Sequence, residues 1–117
     1  MVNKVTLIGN IGKAPELRKT PSDISVTDFN LAMTKQWKNQ SGEEKSETTW
    51  VKVVCWGPLA ENVTKLLKVG DLVYVEGRLS NRSYESDNQK FNIMEVIAED
   101  VLLMCPISHR KTTQTNE

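Results

Sequence analysis

Residues 48–70 read TTWVKVVCWGPLAENVTKLLKVG, and the hydrophobic period changes in the middle of them. From Thr48 to Trp56, β-branched and aromatic residues dominate, as a strand requires, and strand side chains alternate between two faces. Val51, Val53 and Cys55 make one face, suited to a barrel interior, while Trp50, Lys52, Val54 and Trp56 make the other. From Pro58 the spacing becomes three and four, through Leu59, Val63, Leu66 and Leu67, with Gly70 just beyond. Proline at a helix start and glycine past its end mark a short amphipathic helix of about ten residues.

Working outward, strand patterns lie on both sides. Val2, Val5, Leu7 and Ile8 form a β-rich run that ends at Gly9-Asn10-Ile11-Gly12, where two glycines permit a sharp bend or bulge. Pro15 and Thr20-Pro21-Ser22-Asp23 supply turns before a run from Ile24 to Lys35. That run alternates as Ile24 and Val26, then shifts phase to Phe29, Leu31 and Met33, which predicts a bulge. The polar stretch 39–47 reads as a mobile hairpin loop. Beyond the helix, Val73, Val75, Gly77 and Leu79 alternate in a further strand, and Ser86-Asp87-Asn88-Gln89 makes a second hairpin turn. Residues 92–98 and 101–104 finish the sheet. Five short, bent strands with one helix between the third and fourth give an all-β fold class, a five-stranded Greek-key OB-fold barrel, whose open face commonly binds oligonucleotides. A small SH3-like barrel or a β-sandwich also has several short strands, but the lone helix and the glycine bend favour the OB-fold. One domain is expected over residues 1–105, and a polar, disordered tail over 106–117.

The composition narrows the function. A chain of 117 residues, 38% apolar and 26% charged, suffices for one core and carries no apolar run long enough to span a membrane. Its start, Met1-Val2-Asn3-Lys4-Val5, lacks export-signal features, so a cytoplasmic location is expected. Cys55 and Cys105 show no CxxC or histidine-paired spacing and read as reduced thiols; no metal is expected. The net charge is zero, unusual for a nucleic-acid binder, but the signs are segregated. Residues 1–39 hold Lys4, Lys13, Arg18, Lys19, Lys35 and Lys38 against Glu16, Asp23 and Asp28. Residues 83–104 hold Lys90 against Glu85, Asp87, Glu95, Glu99 and Asp100.

Large aromatics on a solvated strand face signal a binding surface, and a lysine between them suits nucleotides, with bases on the rings and phosphate on the cation. Trp50 and Trp56 around Lys52 fit this pattern, as does Trp37 between Lys35 and Lys38. Tyr84, after Arg82 near the second hairpin tip, has little core to fill. Phe29 and Phe91 lie in register with aliphatic neighbours and read as core, and Tyr74 falls opposite Val73 and Val75. Enzyme signatures are missing. The one histidine, His109, lies in the polar tail, no GxxxxGK[ST] or GxGxxG is present, and Glu43, Glu44 and Glu47 read as a solvated loop. No catalytic residue and no cofactor are assigned.

Several motifs together resemble the bacterial single-stranded DNA-binding protein family over most of residues 2–104. They are Val2-Asn3-Lys4-Val5, Ile8-Gly9-Asn10-Ile11-Gly12, Pro15-Glu16-Leu17-Arg18, Leu31-Ala32, Thr49-Trp50, Leu59-Ala60-Glu61 and Val75-Glu76-Gly77-Arg78-Leu79. The resemblance implies four base-stacking positions, which fall on Trp37, Trp50, Trp56 and Tyr84. Trp56 stands where phenylalanine is common and Tyr84 where tryptophan is common. It further implies a homotetramer meeting partly through the first strand, and roles in DNA replication, recombination and repair in the bacterial cytoplasm and nucleoid. Many members carry histidine where this chain has Val51. The family's usual acidic tip, which recruits replication and repair proteins, is absent from this chain, which stops at Thr115-Asn116-Glu117.

The function expected is sequence-indifferent binding and protection of single-stranded DNA, by stacking on those four aromatics. Lys4, Lys13, Lys35, Lys52, Lys68 and Arg82 would contact phosphate. An alternative is a protein-interaction module of the primosome-assembly type, with the aromatics facing a partner. A reader of structured RNA would need a more basic surface.

Overall fold

A computed structural model of the chain describes residues 1–107. Six strands and one helix follow in the order β1 (Val5–Ile11), β2 (Arg18–Lys19), β3 (Ser25–Lys38), β4 (Glu44–Trp56), α1 (Pro58–Leu66), β5 (Leu72–Ser86) and β6 (Gln89–Cys105). The sheet order is β1-β5-β6-β4-β3-β2, and a short β1–β3 pairing at Asn10–Ala32 and Ile11–Leu31 closes β1, β5, β6, β4 and β3 into a barrel. The β4–β6 pairing is parallel, at Val53–Val96 and Val54–Ile97, and the rest are antiparallel. This is the expected OB-fold, with β2 a two-residue addition to the edge of β3.

The interior is built from the predicted alternation. Phe29, Leu31, Val53, Cys55, Val73, Val75 and Val96 are buried, and Ala60, Val63 and Leu67 of the helical segment cap one end of the barrel. Proline at the helix start and Gly70 beyond its end stand as read, although Leu66 points outward. Burial pushes the Cys55 thiol up to about 12, with a smaller contribution from Asp28, so this cysteine is a packed apolar group rather than a nucleophile.

The expected bulge between Val26 and Phe29 does not occur. The β3–β4 ladder runs without a break from Val26–Trp56 to Lys38–Glu44. The apparent phase shift arises because polar residues occupy two interior positions. Ser25 donates to Glu61 Oε2 at 3.3 Å, and Thr27 donates to the Glu16 carbonyl at 2.7 Å, so each buried hydroxyl has a partner. Bulges lie instead between β5 and β6, where the register shifts at Leu72/Val73 and at Glu76/Gly77. At the second shift a Cβ on Gly77 would collide with the Ile97 carbonyl, so only glycine admits that close approach.

The first hairpin loop is shorter than the polar composition suggests. Strand pairing continues to Lys38 and Glu44, and Asn39 Oδ1 accepts from the Ser41 and Glu43 amides to close the turn. Polar side chains do not prevent a ladder when they pair across it, as Thr34 and Thr48 do through hydroxyls 3.0 Å apart. In the second hairpin, Asp87 and Asn88 both adopt positive φ, as a two-residue turn of this twist requires. The chain before β1 is pinned by a reciprocal pair of 2.9 Å bonds between the Asn3 amide and the Leu79 backbone. At the other end, the Ile107 amide donates to buried Asp71 at 2.9 Å.

Candidate nucleic-acid interface

Register decides which side chains share a surface. On β4 the outward residues Trp50, Lys52, Val54 and Trp56 stand opposite Ala32, Asn30, Asp28 and Val26 of β3. Val54 pairs with Ile97 across the parallel junction, so the same surface continues onto β6 through Ile97, Glu95, Ile93 and Phe91. From there it passes to β5 through Arg78, Ser80, Arg82 and Tyr84. One outer wall of the barrel therefore carries Trp50, Trp56 and Tyr84 together. Val54, read as exposed, is buried within that wall.

Trp37 stands apart from these three. It pairs with Lys45 five residues along the ribbon from the Ala32–Trp50 pair, and its odd step in an unbroken ladder puts it on the other side of the β3–β4 hairpin. Lys35 lies on that side too, its ammonium 5.7 Å from the centre of the Trp37 ring. All four predicted aromatics are accessible: Trp50 is 60% exposed, Trp56 46%, Tyr84 45% and Trp37 40%. A Cβ on Gly12 would strike the Trp50 ring, so the glycine bend after β1 provides the seat on which that ring lies.

A fifth aromatic joins them. Phe91, read as core, is instead exposed and stacks on Tyr84 with centroids 5.3 Å apart and planes 21° from parallel. The sequence held a signal for this: the two residues are equidistant from the Asp87-Asn88 turn, so a two-residue hairpin must set them opposite one another.

The cations divide into two groups. Lys52 Nζ lies 3.5 Å from Asp28 Oδ2 and 3.8 Å from Glu95 Oε2, and Arg82 Nε lies 3.6 Å from Glu95 Oε1. Arg18 reaches the same Asp28 oxygen at 3.4 Å. Lys4 pairs with Glu76 at 3.8 Å on the β1–β5 side of the barrel, away from β4. Lys13, Lys35 and Lys68 make no ion pair among the described residues; Lys13 follows the glycine beneath Trp50, and Lys68 lies on the loop after α1. Sequence reading missed Asp28 and Glu95, the two carboxylates set into this wall. His109 lies outside the described residues, and among those no group of three or more histidine, cysteine, aspartate or glutamate side chains converges to hold a metal.

A closed barrel with one capping helix and an outer wall of accessible aromatics defines an OB-fold protein whose exposed rings form a candidate binding surface. The model of the single-strand binding protein family matches residues 2–104. Single-stranded DNA-binding protein 2 of Listeria innocua is 37% identical over 117 residues, covering 99% of this chain and 72% of the relative. Single-stranded DNA-binding protein A of Bacillus subtilis is 42% identical over 107 residues, covering 91% and 61%. Among solved structures, the Plasmodium falciparum SSB complex with ssDNA superposes with a TM-score of 0.80 at 29% identity, covering 89% of this chain and 96% of that one. A deletion mutant of the single-stranded DNA-binding protein from Thermus aquaticus gives 0.76 at 35% identity, covering 88% and 50%. The chain belongs to the single-strand binding protein family. No helix among the described residues is long and apolar enough to cross a membrane.

Proposed function

We propose that this chain binds single-stranded DNA without sequence preference and shields it during replication, recombination and repair, and that it catalyses no reaction. The observation that carries this reading is the wall holding Trp50, Trp56 and Tyr84 on neighbouring strands, with Trp37 on the adjoining hairpin. Aromatic faces stack on any base, and a duplex keeps its base faces stacked inside, so such a wall selects for single strands by geometry. Lys13 beside the Trp50 seat and Lys35 beside Trp37 are the cations best placed to take phosphate, with Lys68 nearby in sequence to the barrel's capped end. In competition against a labelled oligothymidylate, unlabelled single strand is expected to displace the label at concentrations at least tenfold below those needed of duplex of the same length. Equal competition by the two forms would sink the reading.

Assembly follows as a second part of the proposal. Ile8, Tyr74 and Leu102 form one row across β1, β5 and β6 on the barrel's outer side, and Ile8, Leu102 and Met104 are exposed apolar residues. Among the described residues, 5–9 of β1 pair only with β5 and leave a strand edge open. An open edge beside an apolar row invites pairing with another copy, and a homotetramer formed there would set several aromatic walls along one strand of DNA. Sedimentation equilibrium is expected to give four times the chain mass, and a monomer at micromolar concentration would exclude this arrangement.

A further inference from the structure

The centre of the aromatic wall is occupied by carboxylates, the wrong charge for a surface that meets phosphate. Glu95 is the more unusual of the two. Its side chain is 6% exposed, it lies between Lys52 and Arg82, and its Oε2 is buried with no hydrogen-bond partner among the described residues. Asp28, 13% exposed at the side chain, lies on the far side of Lys52 and also holds Arg18. The chain order across the wall is thus Arg18, Asp28, Lys52, Glu95 and Arg82, alternating in sign, with Trp50 and Trp56 flanking Lys52 along β4 and Tyr84 beyond Arg82 along β5. A buried carboxylate is costly to keep unless it does something for its neighbours.

We infer that Glu95 is a positioning residue that ties Lys52 and Arg82 down into the wall, so that this surface takes hold of DNA through bases rather than phosphates. The inference deepens the single-strand reading and rests on it. With their charge satisfied from below, the two cations stay flat between the rings and their aliphatic stems extend the stacking surface. They add little to phosphate attraction. A duplex offers phosphates and hides its base faces, so a wall built this way gains almost nothing from duplex. Uncompensated cations at the same positions would hold either form. Glu95 is thereby a determinant of the preference for single strands, and the neutral overall charge becomes a feature of the design instead of a contradiction of it.

The test compares the unmodified chain, Glu95→Gln and Lys52→Gln, each titrated with oligothymidylate and with duplex over a range of salt. Each phosphate contact on a single strand contributes about 0.7 to the slope of log affinity against log salt. Releasing one or two cations should therefore steepen the slope of Glu95→Gln by about 0.7–1.4. Over a tenfold fall in salt this variant gains about 5- to 25-fold more affinity than the parent, and its duplex binding rises alongside. Lys52→Gln, which removes a cation already engaged, keeps the parental slope. A Glu95→Gln protein with unchanged slope and unchanged duplex affinity overturns the inference. If that variant does not fold, Lys52→Gln decides: a slope shallower by about 0.7 shows Lys52 on phosphate and overturns it, and an unchanged slope supports it. Failure of the unmodified chain to bind oligothymidylate would remove the single-strand reading itself, whereas normal binding with a Glu95→Gln slope that does not move removes only the role of Glu95.

Discussion

Replacing Trp50 and Trp56 together by alanine is expected to weaken oligothymidylate binding by about 2–6 kcal/mol, at least about 30-fold, while the fold persists. Each ring offers a platform for one base, and each stacked base is worth about 1–3 kcal/mol by alanine substitution. The two positions lie on one face of β4 with Lys52 and Val54 between them, so a single strand crossing the wall can use both. Both side chains are exposed, so their removal leaves the core of Phe29, Val53 and Cys55 intact. Leu66→Ala, an exposed apolar residue on α1 away from the wall, is the matched control and should leave affinity unchanged. A loss of less than about threefold in the double variant, with an unchanged far-ultraviolet spectrum, would mean that the rings face something other than bases. The protein-interaction reading would then lead.

Phe29→Ala is expected to be the most destabilising single change of a side chain considered for this barrel, at about 3–5 kcal/mol. Phe29 is fully buried at the middle of β3, paired with Val53, and belongs to the cluster that joins β3, β4, β5, β6 and the helix. Truncation leaves a cavity within a cluster drawn from several strands and the helical segment, where the surrounding structure relaxes only partly. Domains of this size are stable by only about 5–15 kcal/mol, so the loss is a large share of the total. Urea unfolding should show a lower midpoint with an unchanged slope. A shift equivalent to less than about 1 kcal/mol would mean that the site collapses easily and that the core is less tightly packed than described.

The parts of this molecule legible in the sequence are those governed by period. Alternation in residues 50–56 separated Trp50 and Trp56 from Val53 and Cys55, and the change to helical spacing at Pro58 placed the capping helix. Where polar residues take interior places, period misleads. Ser25 and Thr27 made β3 look bulged, although each only needed a partner, Glu61 or the Glu16 carbonyl, that the sequence does not display. Pairing across the barrel was equally hidden. That Lys52 would meet Glu95, more than forty residues away, depends on the parallel β4–β6 junction, which no local pattern announces. The same ladder places Trp37 on the other side of the hairpin from Trp50, a distinction that counting aromatics between cations cannot make. Phe91 was misread because it lies in register with aliphatic Ile93 two residues on, whereas its neighbour across the hairpin is Tyr84.

The most direct test of the central claim is intrinsic tryptophan fluorescence during titration with an oligothymidylate, repeated with duplex DNA and at several salt concentrations. All three tryptophans of the chain are exposed and proposed as stacking platforms. Strong quenching by the single strand, little by duplex, and saturation at a defined ratio of nucleotides to protein are the results expected. Emission that stays constant through the titration, with the protein folded, would contradict the account, because bases cannot stack on those rings without altering it.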